Sequence, residues 1–124
     1  MMNSRYDDWF IILRKEMYMK ISDMQKRVIA NKAAHGFGMD DIGREFLYLY
    51  GEVGEAYAAY SRGKPAEELG KELADVAIYL FGIAELLGFD LEQEIVNKMK
   101  INEKRIYKTL PSGESVKIEP RDFT

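Results

Sequence analysis

The sequence predicts an all-α fold, a bundle of four helices followed by a short irregular or β-like tail, because three features of the chain agree. Apolar residues recur at three- and four-residue steps along most of its length. Residues that start and stop helices divide this pattern into four segments of ordinary helix length. At 124 residues, the chain is long enough for one domain that removes roughly two-thirds of its unfolded surface from water.

The first two helices each have recognisable ends. Ser22, with Gln25 three residues later, resembles a capping box and predicts the start of the first core helix, which should end near the glycines around position 37. The second helix is predicted over about residues 40–62, with one of the two aspartates at its start as N-cap. Arg62-Gly63-Lys64-Pro65 ends this helix and forms a short loop.

The third and fourth helices follow closely. The third is predicted from about residue 66 to residue 87 and should stop at Gly88, a residue type that favours the left-handed C-terminal position. Asp90, with Gln93 three residues on, resembles a second capping box. It predicts a fourth helix that reaches about residue 108.

The two ends of the chain differ from residues 21–108, which we predict to be the folded domain. Residues 1–20 are predicted to form an amphipathic extension, because one helical face collects Trp9, Phe10, Leu13 and Met17. Met17 or Met19 provides an alternative start, in which case the preceding residues are not native. The tail, residues 109–124, begins with a turn, and its alternating run 115–118 predicts a small strand.

The composition excludes several classes of protein. Without cysteine there is no disulfide framework or thiolate zinc site, and this usage fits a cytoplasmic protein. The balance of 18 Lys+Arg against 21 Asp+Glu gives a net charge of −3, which argues against nucleic acid as a partner. No apolar run approaches the roughly 20 residues that span a bilayer, and the N-terminus lacks the features of a signal peptide. We therefore expect a cytoplasmic protein that binds neither nucleic acid nor a membrane.

Two pairs of acids share a three-residue spacing. Glu52 and Glu55 lie on the second predicted helix, and Glu72 and Asp75 lie on the third. Two antiparallel helices joined by a short loop can point all four side chains into one cleft. Carboxylate oxygens at such positions suit Mg²⁺ or Mn²⁺, which share their remaining sites with water and substrate phosphates. The pattern predicts a divalent metal site in which Glu52 or Glu55 orients the attacking water.

Asp75 carries most of this argument because of its neighbours. It lies within residues 73–84, a stretch so apolar that we expect its helix to be buried on nearly every side. An ionised acid in such a core needs a cation or hydrogen-bond donors. A metal meets that need, and an ion pair with Lys98 or Arg105 is the structural alternative. A di-iron carboxylate centre is disfavoured because it needs Glu-x-x-His pairs, and the single His35 follows no such acid.

A second group of polar residues lies on the fourth predicted helix. Lys98, Asn102 and Arg105 follow one another at steps of four and three, so they fall within an arc of about 60°. Two cations and an amide on one face fit phosphate oxygens, although solvated helix surfaces often carry similar cations. We therefore predict these residues as substrate contacts.

The residues that contact a base are less clear from the sequence. The best candidates are Asn31, His35 and Phe37, which lie near the end of the first predicted helix. For His35, an ordinary loop histidine is the alternative.

With these motifs the chain resembles the MazG-like all-α nucleoside triphosphate pyrophosphohydrolases over about residues 21–108. The motifs that carry the resemblance are Glu52-Val53-Gly54-Glu55-Ala56, Glu72-Leu73-Ala74-Asp75-Val76 and Lys98-x-x-x-Asn102-x-x-Arg105. The resemblance implies a hydrolase that cleaves a (d)NTP to a (d)NMP and pyrophosphate, in nucleotide-pool housecleaning. It also implies that the four acids bind Mg²⁺ and that the third motif holds the phosphates. Many relatives have two adjacent glutamates in the first motif, whereas this chain has Gly51-Glu52, which affects which acid activates water.

The rival hypothesis is a non-catalytic helical module, either a nucleotide sensor or a protein-interaction module. The presence of all four acids favours the enzyme. A subunit interface is indicated by the tyrosines of the second helix, Tyr48, Tyr50, Tyr57 and Tyr60. Because short hairpins bury a helix such as 73–84 poorly by themselves, we expect a homodimer or homotetramer.

Overall fold

The computed structural model describes residues 18–119, which form four helices and one β-hairpin. The helices are α1 (Ile21–Ala34), α2 (Ile42–Ser61), α3 (Ala66–Leu86) and α4 (Leu91–Glu103), and the strands are β1 (Ile106–Thr109) and β2 (Ser115–Ile118). The predicted all-α class with a short β-like tail is confirmed. In this part of the chain, no helix is both long and apolar enough to cross a membrane. The predicted extension with Trp9, Phe10, Leu13 and Met17 lies outside the described residues.

The chain divides into two compact units between Glu92 and Gln93. In the N-terminal unit, α2 packs along α3, and α1 packs on α3. The C-terminal unit contains most of α4 and the hairpin. The domain limits at residues 21 and 108 stay a prediction.

The α2–α3 hairpin forms as the sequence predicts. Asp41 is the N-cap of α2, and its carboxylate accepts a hydrogen bond from the Arg44 backbone N–H at 3.0 Å. At the other end, Gly63 has φ +66°, and the Lys64 N–H donates to the Ala59 carbonyl at 3.0 Å. This short connection places α2 and α3 side by side in opposite directions.

The start of α1 differs from the predicted capping box. Lys20 is the N-cap and makes no side-chain capping bond, while Gln25 is only 1% exposed. The Gln25 amide N–H₂ donates to the Phe89 carbonyl at 2.8 Å and to the Glu85 carboxylate at 3.3 Å. Its side-chain carbonyl accepts from the Leu91 N–H at 2.9 Å. Gln25 therefore supplies hydrogen-bond partners for the backbone of the turn that follows α3. A local capping pattern does not reveal such a distant contact.

The predicted end of α4 is wrong, because the helix stops at Glu103 rather than near residue 108. A tighter turn closes it, with the Arg105 N–H donating to the Asn102 carbonyl at 3.1 Å. The following residues form β1, which pairs antiparallel with β2. β1 contains the β-branched and aromatic residues that favour a strand, and pairing with the predicted strand 115–118 overrides the helical periodicity.

The expectation that residues 73–84 are buried on nearly every side is also wrong for this chain. Ile83 and Ala84 are buried, but Leu73 is 56% exposed and Asp75 is exposed. Helices α1 and α2 cover only part of α3, so its remaining apolar side chains face outward. An exposed Asp75 needs no buried countercharge, which removes the reason for the alternative, an ion pair with Lys98 or Arg105.

Replacing Gln25 with methionine should destabilise the fold by about 2 kcal/mol, because the Phe89 carbonyl and the Leu91 N–H lose their side-chain partner while the volume changes little. Urea denaturation followed by circular dichroism measures this loss. The matched control is Lys26→Met, which changes an exposed neighbour on the same helix and should alter stability by less than about 0.5 kcal/mol. Equal stability of the two variants would show that the Gln25 contacts are not structural.

Candidate active site

Three of the four predicted metal ligands meet on the facing sides of α2 and α3. Oxygen atoms of Glu52, Glu55 and Glu72 all lie within 4.8 Å of one another. Glu55 is exposed, whereas the other two side chains are half-buried. The Oε2 atoms of Glu52 and Glu72 are buried and have no hydrogen-bond partner among the described residues. Buried polar atoms are rarely left unpaired, so these two oxygens are suited to a cation.

Asp75, the fourth predicted ligand, lies one helical turn after Glu72 on α3. Its negative charge raises the pKa of Glu52, which places it in the same electrostatic environment. It is exposed and does not belong to the group of three that meets within 4.8 Å. Asp75 therefore borders the acidic group.

The acids repel one another. Burial raises the pKa of the Glu52 carboxyl above its usual range, and the charges of Glu55 and Asp75 raise it further, as does Glu72. A divalent cation would favour the ionised carboxylates against both burial and mutual repulsion, because it attracts each ionised oxygen. The donor set is all carboxylate, which fits the hard ions Mg²⁺ and Mn²⁺.

A cavity of about 380 Å³, which we call the aromatic cavity, opens beside the N-terminal half of α2. Its lining residues are Lys32, Phe37, Gly38, Asp40, Asp41, Arg44, Glu45, Tyr48 and Tyr79. The Lys32 ammonium donates to the Glu45 carboxylate at 2.8 Å and lies 4.5 Å from the centre of the Tyr79 ring. Glu45 is 6% exposed, so this pair is a buried ionic contact between α1 and α2.

Tyr79 connects the aromatic cavity with the acidic group. Burial raises the pKa of the Tyr79 phenol, and the next largest causes are the charges of Glu52 and Glu45. One of these acids belongs to the metal-type group and the other lines the cavity. Tyr79 therefore lines the aromatic cavity and lies within the electrostatic influence of Glu52 in the acidic group.

The predicted base contacts lie at the end of α1, but only one reaches the aromatic cavity. Phe37 lines it, and the His35 ring lies 6.0 Å from the Phe37 ring. Asn31 and His35 are exposed and are not among the described residues that line the cavity. The sequence reasoning missed Glu45, although it precedes Glu52 by seven residues and so lies on the same face of α2.

A second cavity, of about 210 Å³, adjoins the acidic group at the opposite end of α2. We call it the loop cavity, and its lining residues are Glu55, Ala58, Ala59, Arg62, Lys64, Glu68 and Glu72. Arg62 and Lys64 thus share one cavity with two of the three clustered acids. The sequence reasoning treated this stretch only as a helix stop, because its place beside the acids depends on how the loop folds.

The predicted phosphate contacts lie in the C-terminal unit. Lys98 and Asn102 are exposed on α4. Arg105 follows the end of α4 and is half-buried, so it does not belong to the predicted helical face. It lines a cavity of about 480 Å³ formed with the hairpin, together with residues such as Lys104 and Lys117.

Two known phage proteins are similar to this chain. A solved structure described as cyanophage S-2L MazG-like pyrophosphohydrolase, bound to dGDP and three catalytic Mn²⁺ ions per active site, matches with a TM-score of 0.67 and 28% identity. That match covers 83% of this chain and 97% of the other. A dATP/dGTP diphosphohydrolase of Salmonella phage PMBT28 is 38% identical over 93 residues, or 75% of this chain. The chain spans 30% of the length of that relative. No family model matches.

Glu52→Gln should stabilise the metal-free chain at neutral pH, because it removes a charge that burial and neighbouring acids oppose. A raised folded pKa means that the folded chain keeps a proton that the unfolded chain loses near the ordinary value of 4.5. The free energy of unfolding therefore falls as pH rises from that value through the raised pKa. Melting temperatures in chelator, from about pH 4 to pH 8, should fall less in the variant than in the unmodified chain.

With added Mg²⁺ or Mn²⁺ at neutral pH, the unmodified chain should become more stable than Glu52→Gln, since it gains more stability from the ion than the variant does. The matched control is Glu67→Gln, which removes an exposed acid of α3 that pairs only loosely with Lys71 at 3.7 Å. If Glu52→Gln and Glu67→Gln give the same pH profile and the same response to metal, Glu52 is not part of a metal site.

Proposed function

We propose that this chain, which belongs to the MazG-like family, is a metal-dependent pyrophosphohydrolase that converts a (deoxy)nucleoside triphosphate to the monophosphate and pyrophosphate. The observation that carries the proposal is the meeting of Glu52, Glu55 and Glu72 within 4.8 Å, two of them with a buried oxygen that has no hydrogen-bond partner within residues 18–119. The similarity to a protein whose active site holds dGDP and Mn²⁺ supports it. The likeness to a dATP/dGTP diphosphohydrolase supports a triphosphate substrate.

Glu52, Glu55, Glu72 and Asp75 are the proposed ligands of Mg²⁺ or Mn²⁺. Such ions, when bound, stabilise charge that develops on phosphoryl oxygens and make water a stronger nucleophile. Asp75 is exposed one turn beyond Glu72, so its side chain has room to turn toward an ion held by the other three. The mutual repulsion that raises the Glu52 pKa favours occupation of the site.

Glu52 or Glu55 is proposed to orient the attacking water and to accept its proton. The water oxygen forms a bond to the α-phosphorus, and the bond from that phosphorus to the α,β-bridging oxygen breaks. The bridging oxygen leaves with the electron pair as part of pyrophosphate. Both glutamates lie in the group of three, and the exposed Glu55 is open to water.

Lys98, Asn102 and Arg105 are proposed to hold phosphate oxygens, because two cations and an amide supply the donors that phosphates accept. The base is proposed to enter the aromatic cavity, with Phe37, Asn31 and His35 as its proposed contacts, of which Phe37 lines the cavity. Aromatic walls from Tyr48 and Tyr79 offer stacking surfaces for a flat ring.

The proposed reaction predicts a specific label distribution when a panel of standard and modified nucleoside triphosphates is hydrolysed in ¹⁸O-labelled water with Mg²⁺ or Mn²⁺. Attack at the α-phosphorus places the label in the nucleoside monophosphate, whereas attack at the β-phosphorus places it in pyrophosphate. Mass spectrometry of the products distinguishes the two. Label found only in orthophosphate would contradict a pyrophosphohydrolase.

The metal requirement of this reaction is tested with Asp75→Asn, which removes a charge from an exposed position and should leave the helical circular dichroism unchanged. We expect its metal-dependent turnover to fall roughly a hundredfold or more. Glu67→Gln should retain full turnover. Binding of nucleotides without turnover across the whole panel would instead favour a nucleotide sensor.

We also propose that the chain works as a homodimer or homotetramer. Among the described residues, the buried hydrophobic side chains are only Ala56, Ile83 and Ala84. Large side chains of α2 and α3 remain open, including Tyr57 at 70% and Leu73 at 56%. Apolar surface on this scale is typical of a protein interface, and a second copy of the chain is the simplest occupant.

Light scattering should therefore give two or four times the mass of one chain. Tyr57→Glu should reduce this mass, because a charge at an interface costs several kcal/mol when it is buried unpaired. Lys26→Glu, an exposed change on α1, is the control and should leave the mass unchanged. A single-chain mass for the unmodified protein would exclude the oligomer.

A further inference from the structure

The facing sides of α2 and α3 carry a row of mostly polar side chains. On α2 the positions involved follow steps of three and four residues, so they share one helical face: Glu45, Tyr48, Glu52, Glu55, Ala59 and Arg62. On α3 the matching positions follow the same steps in the opposite direction: Tyr79, Asp75, Glu72 and Glu68. From the start of α2 toward the loop that joins it to α3, these side chains therefore line the aromatic cavity, then form the acidic group and then line the loop cavity.

The loop cavity has a distinct charge arrangement. Glu55 and Glu72 belong to the acidic group, while Arg62 and Lys64 bring two positive charges to the same small cavity. Both cations are exposed, and within residues 18–119 neither forms an ion pair with a carboxylate. The backbone that carries them is fixed, because the Arg62 N–H donates to the Ala58 carbonyl and Gly63 closes the turn. Ala58 and Ala59 add only small side chains, which leaves the space open.

We infer that Arg62 and Lys64 bind the β- and γ-phosphates of the substrate and hold the pyrophosphate leaving group. This inference rests on the proposed function and deepens it. With the base in the aromatic cavity and the α-phosphorus at the acids, the remaining phosphates extend toward the loop cavity. Arg62 lies seven residues beyond Glu55, about 10 Å along the helix axis, a gap that its long side chain shortens. Two cations at this place neutralise charge that builds up on the departing pyrophosphate.

A purely structural role for the two cations makes different predictions. Positive charges at the C-terminal end of α2 favourably oppose the helix dipole, which would stabilise the fold without any ligand. In that case their loss would lower the melting temperature and would not distinguish pyrophosphate from nucleoside monophosphate. The two roles are therefore separable by comparing the two products as inhibitors.

The test measures inhibition of dGTP and dATP turnover by inorganic pyrophosphate and by the matching monophosphate, with Mg²⁺ and the full chain. Arg62→Ala and Lys64→Ala should each raise the inhibition constant of pyrophosphate roughly tenfold and leave that of the monophosphate within about twofold. Arg62→Lys should restore part of the pyrophosphate affinity, because it keeps the charge. Lys71→Ala, which removes an exposed cation of α3 outside the loop cavity, is the matched control and should change neither constant.

Several outcomes overturn the inference. These are unchanged pyrophosphate inhibition when Arg62→Ala and Lys64→Ala are combined in one chain, an equal loss for both products, or an effect that Lys71→Ala reproduces. If Arg62→Ala fails to fold, Arg62→Gln gives the same comparison with a smaller change in packing. Failure of the proposed function is a separate result, since it requires that the unmodified chain releases no pyrophosphate. Where the unmodified chain does release it and the loop variants behave normally, only this inference fails.

Discussion

The close approach of three carboxylates between α2 and α3 is the constraint on which the rest of the structure depends. Glu52, Glu55 and Glu72 repel one another, and burial adds to the cost of ionising Glu52. Such an arrangement persists only if other contacts hold the two helices together. Here the capped start of α2 and the short loop at Gly63 fix the helices as antiparallel neighbours. The acidic group therefore destabilises the fold locally, and the α2–α3 hairpin holds the three carboxylates together despite their repulsion.

The buried Lys32–Glu45 pair extends this support to α1. Its partners approach to 2.8 Å, and the Lys32 ammonium also lies over the Tyr79 ring, so one cation contacts both α2 and α3. A buried pair of this kind is weak evidence for net stability, because removing both charges from water offsets much of their attraction. Its stronger effect is geometric, since loss of either partner would leave a charge unpaired beside the aromatic cavity. Packing of the helices and shape of the cavity are thus set by the same contact.

The sequence predicted well the features that depend on local chemistry. The Asp41 cap, the stop at Gly88 and the strand at 115–118 all follow from short patterns, and the structure contains each of them. The three-residue spacing also predicted correctly that Glu52 and Glu55 would share a face with Glu72 opposite, because a hairpin of two helices has few other arrangements.

Features that depend on distant contacts were missed. Gln25 bonds to residues 60 to 66 positions away, so no local pattern separates it from a capping residue. The exposure of Asp75 has a related cause: an apolar stretch shows that a helix has surface to cover, but not which part of that surface the same chain covers. The fourth helix was predicted too long because β1 is stabilised by pairing with β2, a contact that periodicity alone does not include.

The order of features along α2 and α3 bears on which bond the proposed reaction would cut. An acidic group alone would serve α- or γ-phosphate attack equally, because metal-assisted hydrolysis needs only a phosphorus close to the ions. The two cavities at either side of the acids remove that symmetry, since the aromatic side chains of the first suit a base and the cations of the loop cavity suit terminal phosphates. A triphosphate that lies in this direction brings its α-phosphorus nearest the acids and its terminal phosphates beyond them. In the proposed function, the choice of bond therefore follows from where the two ends of the substrate would be held, and the acids themselves would not have to distinguish the α- from the γ-phosphorus.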